Sequence, residues 1–379
     1  MRSVVGEPNA PSNAELDAAQ AEMKRLLTLL VNSGGSDLHL RVGHPPILRK
    51  DGQLVPEDGP TIEEPQLRAM LRSTMRPQES STFENTGDLD YAYEVVGVAR
   101  FRCNAAVDRQ GPMGVFRVIP HKIPSCDELE LSAAIRNLCY LTKGLVVVTG
   151  PTGSGKSTTL AAMVDLMNEE RSHHILTIED PIEFVHESKR CLVTHRQVGT
   201  HTRSFRSGLR AALREDPDIV LIGEMRDLET IEIALQTAET GHLVFGTLHT
   251  STAPSTIDRI IDQFAADRQA QIRVMLSESL RGVIAQVLCR KIGGGRIAAR
   301  EVLLTTRAVS NLIREGKTFQ LPSIIQTGGD RGMVTLNDSL LDLVQRELVE
   351  PKEAYMKSSD KEPLASALIA QGYELPFLA

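Results

Sequence analysis

Two periods govern where this chain places its apolar residues, and they divide it into regions. From Glu15 the positions Leu16, Met23, Leu26, Leu27, Leu30 and Val31 recur at helical spacing, and Asn32-Ser33-Gly34-Gly35 supplies a helix stop. Residues 36–42 then alternate, with Leu38, Leu40 and Val42 on one face and Asp37, His39 and Arg41 on the other, which predicts a half-buried strand. Turns at His44-Pro45-Pro46 and Asp51-Gly52 flank Ile47-Leu48-Arg49, so a small antiparallel sheet is expected. A helix is predicted over 67–75 and strands over 89–96, 97–106 and 114–119. Residues 16–119 therefore read as one α+β domain without a catalytic cluster. Residues 1–15, polar and carrying Gly6, Pro8, Pro11 and Asn13, read as a disordered tail. The stretch 120–124, with Pro120 and Pro124 around His121-Lys122-Ile123, reads as a linker.

Beyond the linker the rhythm changes. Short apolar runs at 145–148, 174–178, 219–222 and 243–247 alternate with helical stretches, the signature of a parallel sheet covered by helices, so residues 125–379 read as an α/β domain. Gly293-Gly294-Gly295 marks a hairpin turn before a strand over 297–304, and the remainder is mostly helical.

The first of these runs opens directly into Gly150-Pro151-Thr152-Gly153-Ser154-Gly155-Lys156-Ser157, which is G-x-x-x-x-G-K-[ST] between a strand and a helix continuing through Thr158. Glycines let backbone N–H groups turn inward on phosphate oxygens, Lys156 meets the β and γ phosphates, and the Ser157 hydroxyl is placed to ligate Mg²⁺. The helix aims its positive end at the same charge. This pattern predicts a nucleoside triphosphate site, with ATP and Mg²⁺ as its cofactors.

Hydrolysis also needs acids, and in open α/β sheets these belong beyond the C-terminal ends of strands. Asp218-Ile219-Val220-Leu221-Ile222-Gly223-Glu224 is an apolar strand ending in a carboxylate, the Walker B pattern with Glu in the place usually held by Asp. Glu224 is expected to contact Mg²⁺ directly or through water. A second strand ends in Glu179-Asp180-Pro181-Ile182-Glu183; one of its three carboxylates can orient the attacking water, and spacing does not choose among them. A solvated acidic turn is the alternative. His242 and His249 bracket a strand, and seven residues set them roughly 23 Å apart on opposite faces, so they cannot share a metal ion. Each can sense γ-phosphate, hold a neighbouring loop or be structural. Arg203, Arg206, Arg210 and Arg214 form one basic stripe if they lie on a helix, either a solvated face paired with acids or a contact surface. Arg100, Arg102, Arg109 and Arg117 lie on or beside strands with no acid run nearby, and the sharper reading is an arginine reaching phosphate from another domain or subunit.

Composition narrows the partners. With 379 residues there is room for two or three domains, while a net charge of −7, 4% aromatics and no Trp argue against a nucleic-acid platform. The five cysteines are scattered and never form C-x-x-C, which suggests neither a zinc site nor a disulfide framework and fits a reducing compartment. No early stretch has the length of a signal or spanning segment, so a cytoplasmic protein with peripheral membrane association is expected.

The glycine loop at 150–158, TIEDPIEFVHE at 177–187, DPDIVLIGEMRD at 216–227, ETGHLVFGTLHT at 239–250 and GGSDLHL at 34–40 together resemble the secretion-ATPase superfamily. Within it they resemble the PilT-type retraction ATPases of type IV pili, over residues 26–355. The resemblance implies a PAS-like N-terminal domain and a RecA-like ATPase domain, assembled as a homo-hexamer at the cytoplasmic face of the inner membrane on the platform protein of the pilus machine. Nucleotide would lie between the two domains, whose rigid-body motion converts hydrolysis into pilin removal. By motif match Glu183 is the catalytic glutamate, Glu224 the Walker B acid and His242 with His249 the histidine box. Arg102 and Arg117 match the N-terminal arginines that reach phosphate. Extension and secretion relatives usually carry a four-cysteine zinc insertion that is absent here, which favours retraction. The family's AIRNLIRE motif stands as AVSNLIRE at 308–315, departing at Val309 and Ser310; Ser310 removes a charge from that helix and alters any partner contact it serves. A low-turnover nucleotide-binding paralogue and a nucleic-acid translocase are the alternative readings.

Overall fold

A computed structural model describes residues 13–50, 52–119 and 122–378. The chain divides between Lys122 and Ile123 into two compact units. Of the expected tail, residues 1–12 lie outside the described residues, as do Asp51 of one predicted turn and Pro120 and His121 of the predicted linker. Residues 13–15 are helical rather than tail, because α1 (Asn13–Asn32) starts with the strong helix former Ala14 and with Glu15 in its first turn, where the helix dipole favours an acid.

In the first unit α1 is followed by β1 (Asp37–Arg41), β2 (Ile47–Lys50), β3 (Gln53–Pro56), α2 (Glu64–Ser73), α3 (Pro77–Thr86), β4 (Asp88–Val95), β5 (Ala99–Asp108) and β6 (Gly111–Ile119). The strands make one antiparallel sheet in the order β3-β2-β1-β6-β5-β4. Its core joins Met23, Leu26, Leu27 and Leu30 of α1 to Leu38 and Leu40 of β1, Leu67 and Leu71 of α2, and Phe101 and Phe116. Each such buried side chain contributes roughly 1.5–3 kcal/mol, so the apolar stripe outweighs helix propensity in fixing α1. The pattern of apolar residues does not show α3, because Phe83 is its one buried residue. Its ends are written in other residues: Pro77 in the first turn, Glu79 accepting from the Arg76 backbone N–H at 2.8 Å, and Gly87 closing the helix in left-handed conformation.

The second unit begins with α4 (Ala133–Leu138), β7 (Gly144–Thr149), α5 (Lys156–Glu170), β8 (His174–Glu179), β9 (Leu192–Gln197), α6 (Phe205–Ala212), β10 (Ile219–Ile222), α7 (Leu228–Glu239) and β11 (Leu243–Leu248). It continues with α8 (Ala253–Asp262), α9 (Ala266–Ser279), β12 (Leu280–Arg290), β13 (Arg296–Leu304), α10 (Arg307–Arg314), α11 (Leu321–Thr327), α12 (Leu336–Gln345), α13 (Pro351–Lys357) and α14 (Lys361–Ala370). The sheet order is β13-β12-β7-β11-β10-β8-β9, parallel throughout except for the β12–β13 hairpin. Alternate residues of β7 enter different cores: Leu145 and Val147 pack on one side, Val146 and Val148 on the other. Helices therefore cover both faces, which is why these strands read as unbroken apolar runs. Strand β9 escapes that reading because it is an edge strand with only Gln197 buried.

The four arginines at 203–214 do not share a helix. Ser204 caps α6 by accepting from the Ser207 N–H, and the helix ends at Leu213, so only Arg206 and Arg210 lie on it. Arg206 pairs with Glu229 of α7 at 2.8 Å. The departures in AVSNLIRE both turn inward as well: Val309 is fully buried, and the Ser310 hydroxyl donates to the Ser277 carbonyl of α9 at 2.8 Å. Ser310 thus ties two helices of its own unit together. Among the described residues no helix is long and apolar enough to cross a membrane.

Candidate functional site

Strand β7 is buried along its whole length and delivers the chain to the glycine loop. Gly150 sits at φ 145°, and a Cβ there would lie 2.3 Å from the Gln286 carbonyl oxygen and 2.6 Å from Ser154 Oγ, so no other residue fits. Gly155, at φ 86°, precedes α5 directly, which puts Lys156, Ser157 and Thr158 in its first turn. Lys156 Nζ donates to the carbonyls of Gly150 at 2.8 Å and Pro151 at 3.2 Å. Burial pulls the Lys156 ammonium down from its ordinary range, and the charges of Glu224 and Glu183 oppose that fall. Lys156, Glu183 and Glu224 therefore share one electrostatic environment, although their positions come from α5, the turn after β8 and the end of β10.

The acids are held in place by their neighbours. Glu224 Oε1 accepts from Arg226 Nε at 2.7 Å and lies 2.8 Å from His249 Nε2. Burial raises the Glu224 carboxyl, but the hydrogen bond and charge of Arg226, with His249, more than offset it, so it titrates below the usual carboxylate range. The Glu183 N–H donates to Glu179 Oε2 at 3.2 Å, so the acid ending β8 braces the turn that carries the next one. Thr247 Oγ1 donates to the Gly223 carbonyl at 2.5 Å, which ties the ends of β11 and β10. Ser157 lines a cavity of about 30 Å³ together with Thr177, Glu179, His186, Gly223 and Thr247. That space suits one or two waters or a small hydrated contact.

The structure brings His249, but not His242, to this cluster. His242 stands at the opposite end of β11, where Nδ1 lies 3.1 Å from the Thr237 carbonyl. Arg102 and Arg117 belong to the first unit and are direct cross-strand partners on β5 and β6. Arg117 is not without an acid, as its sequence neighbourhood suggests: Nε donates to Asp37 Oδ1 at 2.7 Å. Burial raises the Asp37 carboxyl, while hydrogen bonds from Ser36 and Arg117 outweigh burial and hold it below its ordinary range. Sequence reasoning also missed Arg226, which follows Glu224 by two residues, and Gln286, whose signal is a lone polar residue in an apolar strand.

Comparison with known proteins gives a consistent set of likenesses. The family model described as Type II/IV secretion system protein matches residues 125–295. The type IV pilus retractation ATPase PilT of Pseudomonas aeruginosa is 52% identical over 341 residues, which covers 90% of this chain and 99% of the relative. A twitching motility protein of Neisseria gonorrhoeae is 46% identical over 321 residues, covering 84% of this chain and 86% of the relative. The crystal structure of the pilus retraction motor PilT with bound ADP superposes with a TM-score of 0.83 at 44% identity, covering 90% of this chain and 98% of the other.

Proposed function

This chain belongs to the PilT family of secretion ATPases, and from that premise we propose that it is the ring-forming motor of type IV pilus retraction, working as a homo-hexamer. The chain is an ATPase with the α/β fold of that family, and it uses adenine nucleotide. The observation that carries the reading is the placement of Lys156, Glu183 and Glu224 beyond the C-terminal ends of one parallel sheet, where the two acids act on the lysine's charge, beside a loop whose first glycine admits no side chain.

In this reading residues 150–158 receive the phosphates, and Lys156 exchanges two neutral carbonyl partners for charged phosphate oxygens, a stronger bond. The donor set of Ser157 hydroxyl and ionised Glu224 suits a hard divalent cation, so these residues would hold Mg²⁺. Mg²⁺, when bound, neutralises charge that develops on the phosphate oxygens. Glu183 accepts the proton of the attacking water. Arg226 and His249 fix Glu224 from the side. His242 belongs to the histidine box by motif, and its place at the far end of β11 suits it to holding the end of α7. Arg102 and Arg117, cross-strand partners on β5 and β6, are the proposed N-terminal arginines that reach phosphate, since a planar guanidinium fork suits phosphate oxygens. The arginines and the loop lie in different units, so domain motion is the proposed link between hydrolysis and pilin removal. The proposed seat of the ring is the cytoplasmic face of the inner membrane, docked on the platform protein, with membrane contact only through partners and no nucleic-acid partner.

The test is ATP hydrolysis by the purified full chain across protein concentration, with and without single-stranded DNA. Turnover that rises with assembly and ignores DNA supports the motor. Tight ATP binding with negligible turnover points to an accessory paralogue, and strong DNA stimulation points to a translocase.

A further inference from the structure

Strand β12 runs parallel to β7 with Ile284 opposite Val148 and Ala285 opposite Thr149, which brings the next residue, Gln286, alongside the start of the glycine loop. Gln286 is 1% exposed and stands between apolar neighbours on a central strand. A buried primary amide needs partners at both ends. Gln286 Nε2 donates to the Ser154 carbonyl at 2.7 Å, and Oε1 accepts from Thr159 Oγ1 at 2.9 Å. Its main-chain carbonyl occupies the place where a side chain on Gly150 would begin, and Nε2 lies 3.3 Å from where a Cβ on Gly155 would be. One residue of β12 thus touches the first glycine, the tip, the last glycine and the helix that follows.

The direction of these bonds matters. A loop that turns its N–H groups toward phosphate must turn carbonyls the other way, into the protein, where each needs a donor. Ser154 is 3% exposed, and Gln286 supplies the donor for its carbonyl. The Thr159 bond then holds the amide in the orientation that presents Nε2 to the loop.

We propose that Gln286 is a positioning residue for the ATPase: it sets the glycine loop in its phosphate-receiving shape before nucleotide arrives. The proposal rests on the reading that this loop holds the phosphates. It predicts an effect on nucleotide affinity that ADP and ATP share, since both place a β-phosphate in the loop, and little effect on the chemical step.

The test uses full-length Gln286→Met, which keeps the length and volume of the side chain and removes both hydrogen bonds. Binding of ADP and of a non-hydrolysable ATP analogue is measured by calorimetry, alongside KM and kcat. The expected result is a loss of affinity of about 10- to 100-fold for both nucleotides, a matching rise in KM, and kcat at saturation within about threefold of wild type. Gln286→Leu also removes both hydrogen bonds while staying apolar, so it should resemble Gln286→Met. Thr159→Val should cost only about two- to fivefold and add almost nothing in the Gln286→Met background. Wild-type affinity in a folded Gln286→Met overturns the proposal, as does a drop in kcat with KM unchanged. If Gln286→Met does not fold, Gln286→Leu decides by the same criterion. Lys156→Ala separates the two levels of failure: lost binding there with normal binding in Gln286→Met sinks only the positioning role, whereas normal binding in Lys156→Ala sinks the assignment of the loop itself.

Discussion

In the second unit the sheet keeps charge out of its three middle strands, β7, β11 and β10, and gathers it beyond their C-terminal ends, whereas in the first unit arginines stand within the strands. Strands β7, β10 and β11 are buried at every position. Lys156, Glu183, Glu224 and His249 all follow a strand end by a short stretch of chain. On β5 and β6, by contrast, Arg102 and Arg117 face each other across the ladder, and the acid that pairs with Arg117 comes from β1. A parallel sheet covered on both faces has no room for a charge inside, so chemistry is forced to its rim. An antiparallel sheet with a solvated face can carry cations along its length, and it needs an acid from elsewhere in the sequence to hold them.

That contrast can be broken at graded points. Lys156→Ala should reduce ATP hydrolysis to background and abolish nucleotide-dependent thermal stabilisation, because the charge proposed to hold phosphate is lost. Glu183→Gln should lower kcat by about 10²–10⁴-fold while ATP binding survives, measured by single-turnover hydrolysis and calorimetry. In the first unit Asp37→Asn should leave nucleotide binding by the second unit intact and destabilise its own unit by about 1–3 kcal/mol in denaturant unfolding, since Asp37 is buried but Arg117 can turn to solvent. The pH sign follows from the depressed Asp37 carboxyl: its contribution is present above the unfolded-state value near 4 and disappears as pH falls through the lower folded-state value. Wild type should show that loss in acid, and Asp37→Asn should lack it. Ser310→Ala should cost only about 0.5–1.5 kcal/mol, through the lost bond to α9, and should leave ATP turnover unchanged.

The same contrast explains what the sequence could and could not show. An apolar run followed at once by glycines, lysine or acids is a local pattern, so the strand–loop–helix at 144–170 and the acids after β8 and β10 were legible without coordinates. The pairing of Asp37 with Arg117 spans 80 positions and that of Gln286 with Ser154 spans 132, and no periodicity reports such a distance. The split of the histidines was half legible: opposite ends of a strand followed from spacing, but that His249 would be the one on Glu224 depended on the parallel order of β10 and β11. Helix α3 and edge strand β9 bury too little to leave an apolar rhythm, and the basic stripe at 203–214 broke because Ser204 is a better helix cap than helix interior.

The central claim is that charges collected at the rim of the parallel sheet hydrolyse ATP, with Glu183 acting on water. The most direct measurement is Mg²⁺-dependent ATP turnover of the full chain beside Glu183→Gln, with nucleotide binding measured on the same samples. The account predicts steady turnover in wild type, and binding without turnover in the variant. Equal turnover in both proteins would contradict it and move the base to another acid of the β8 turn.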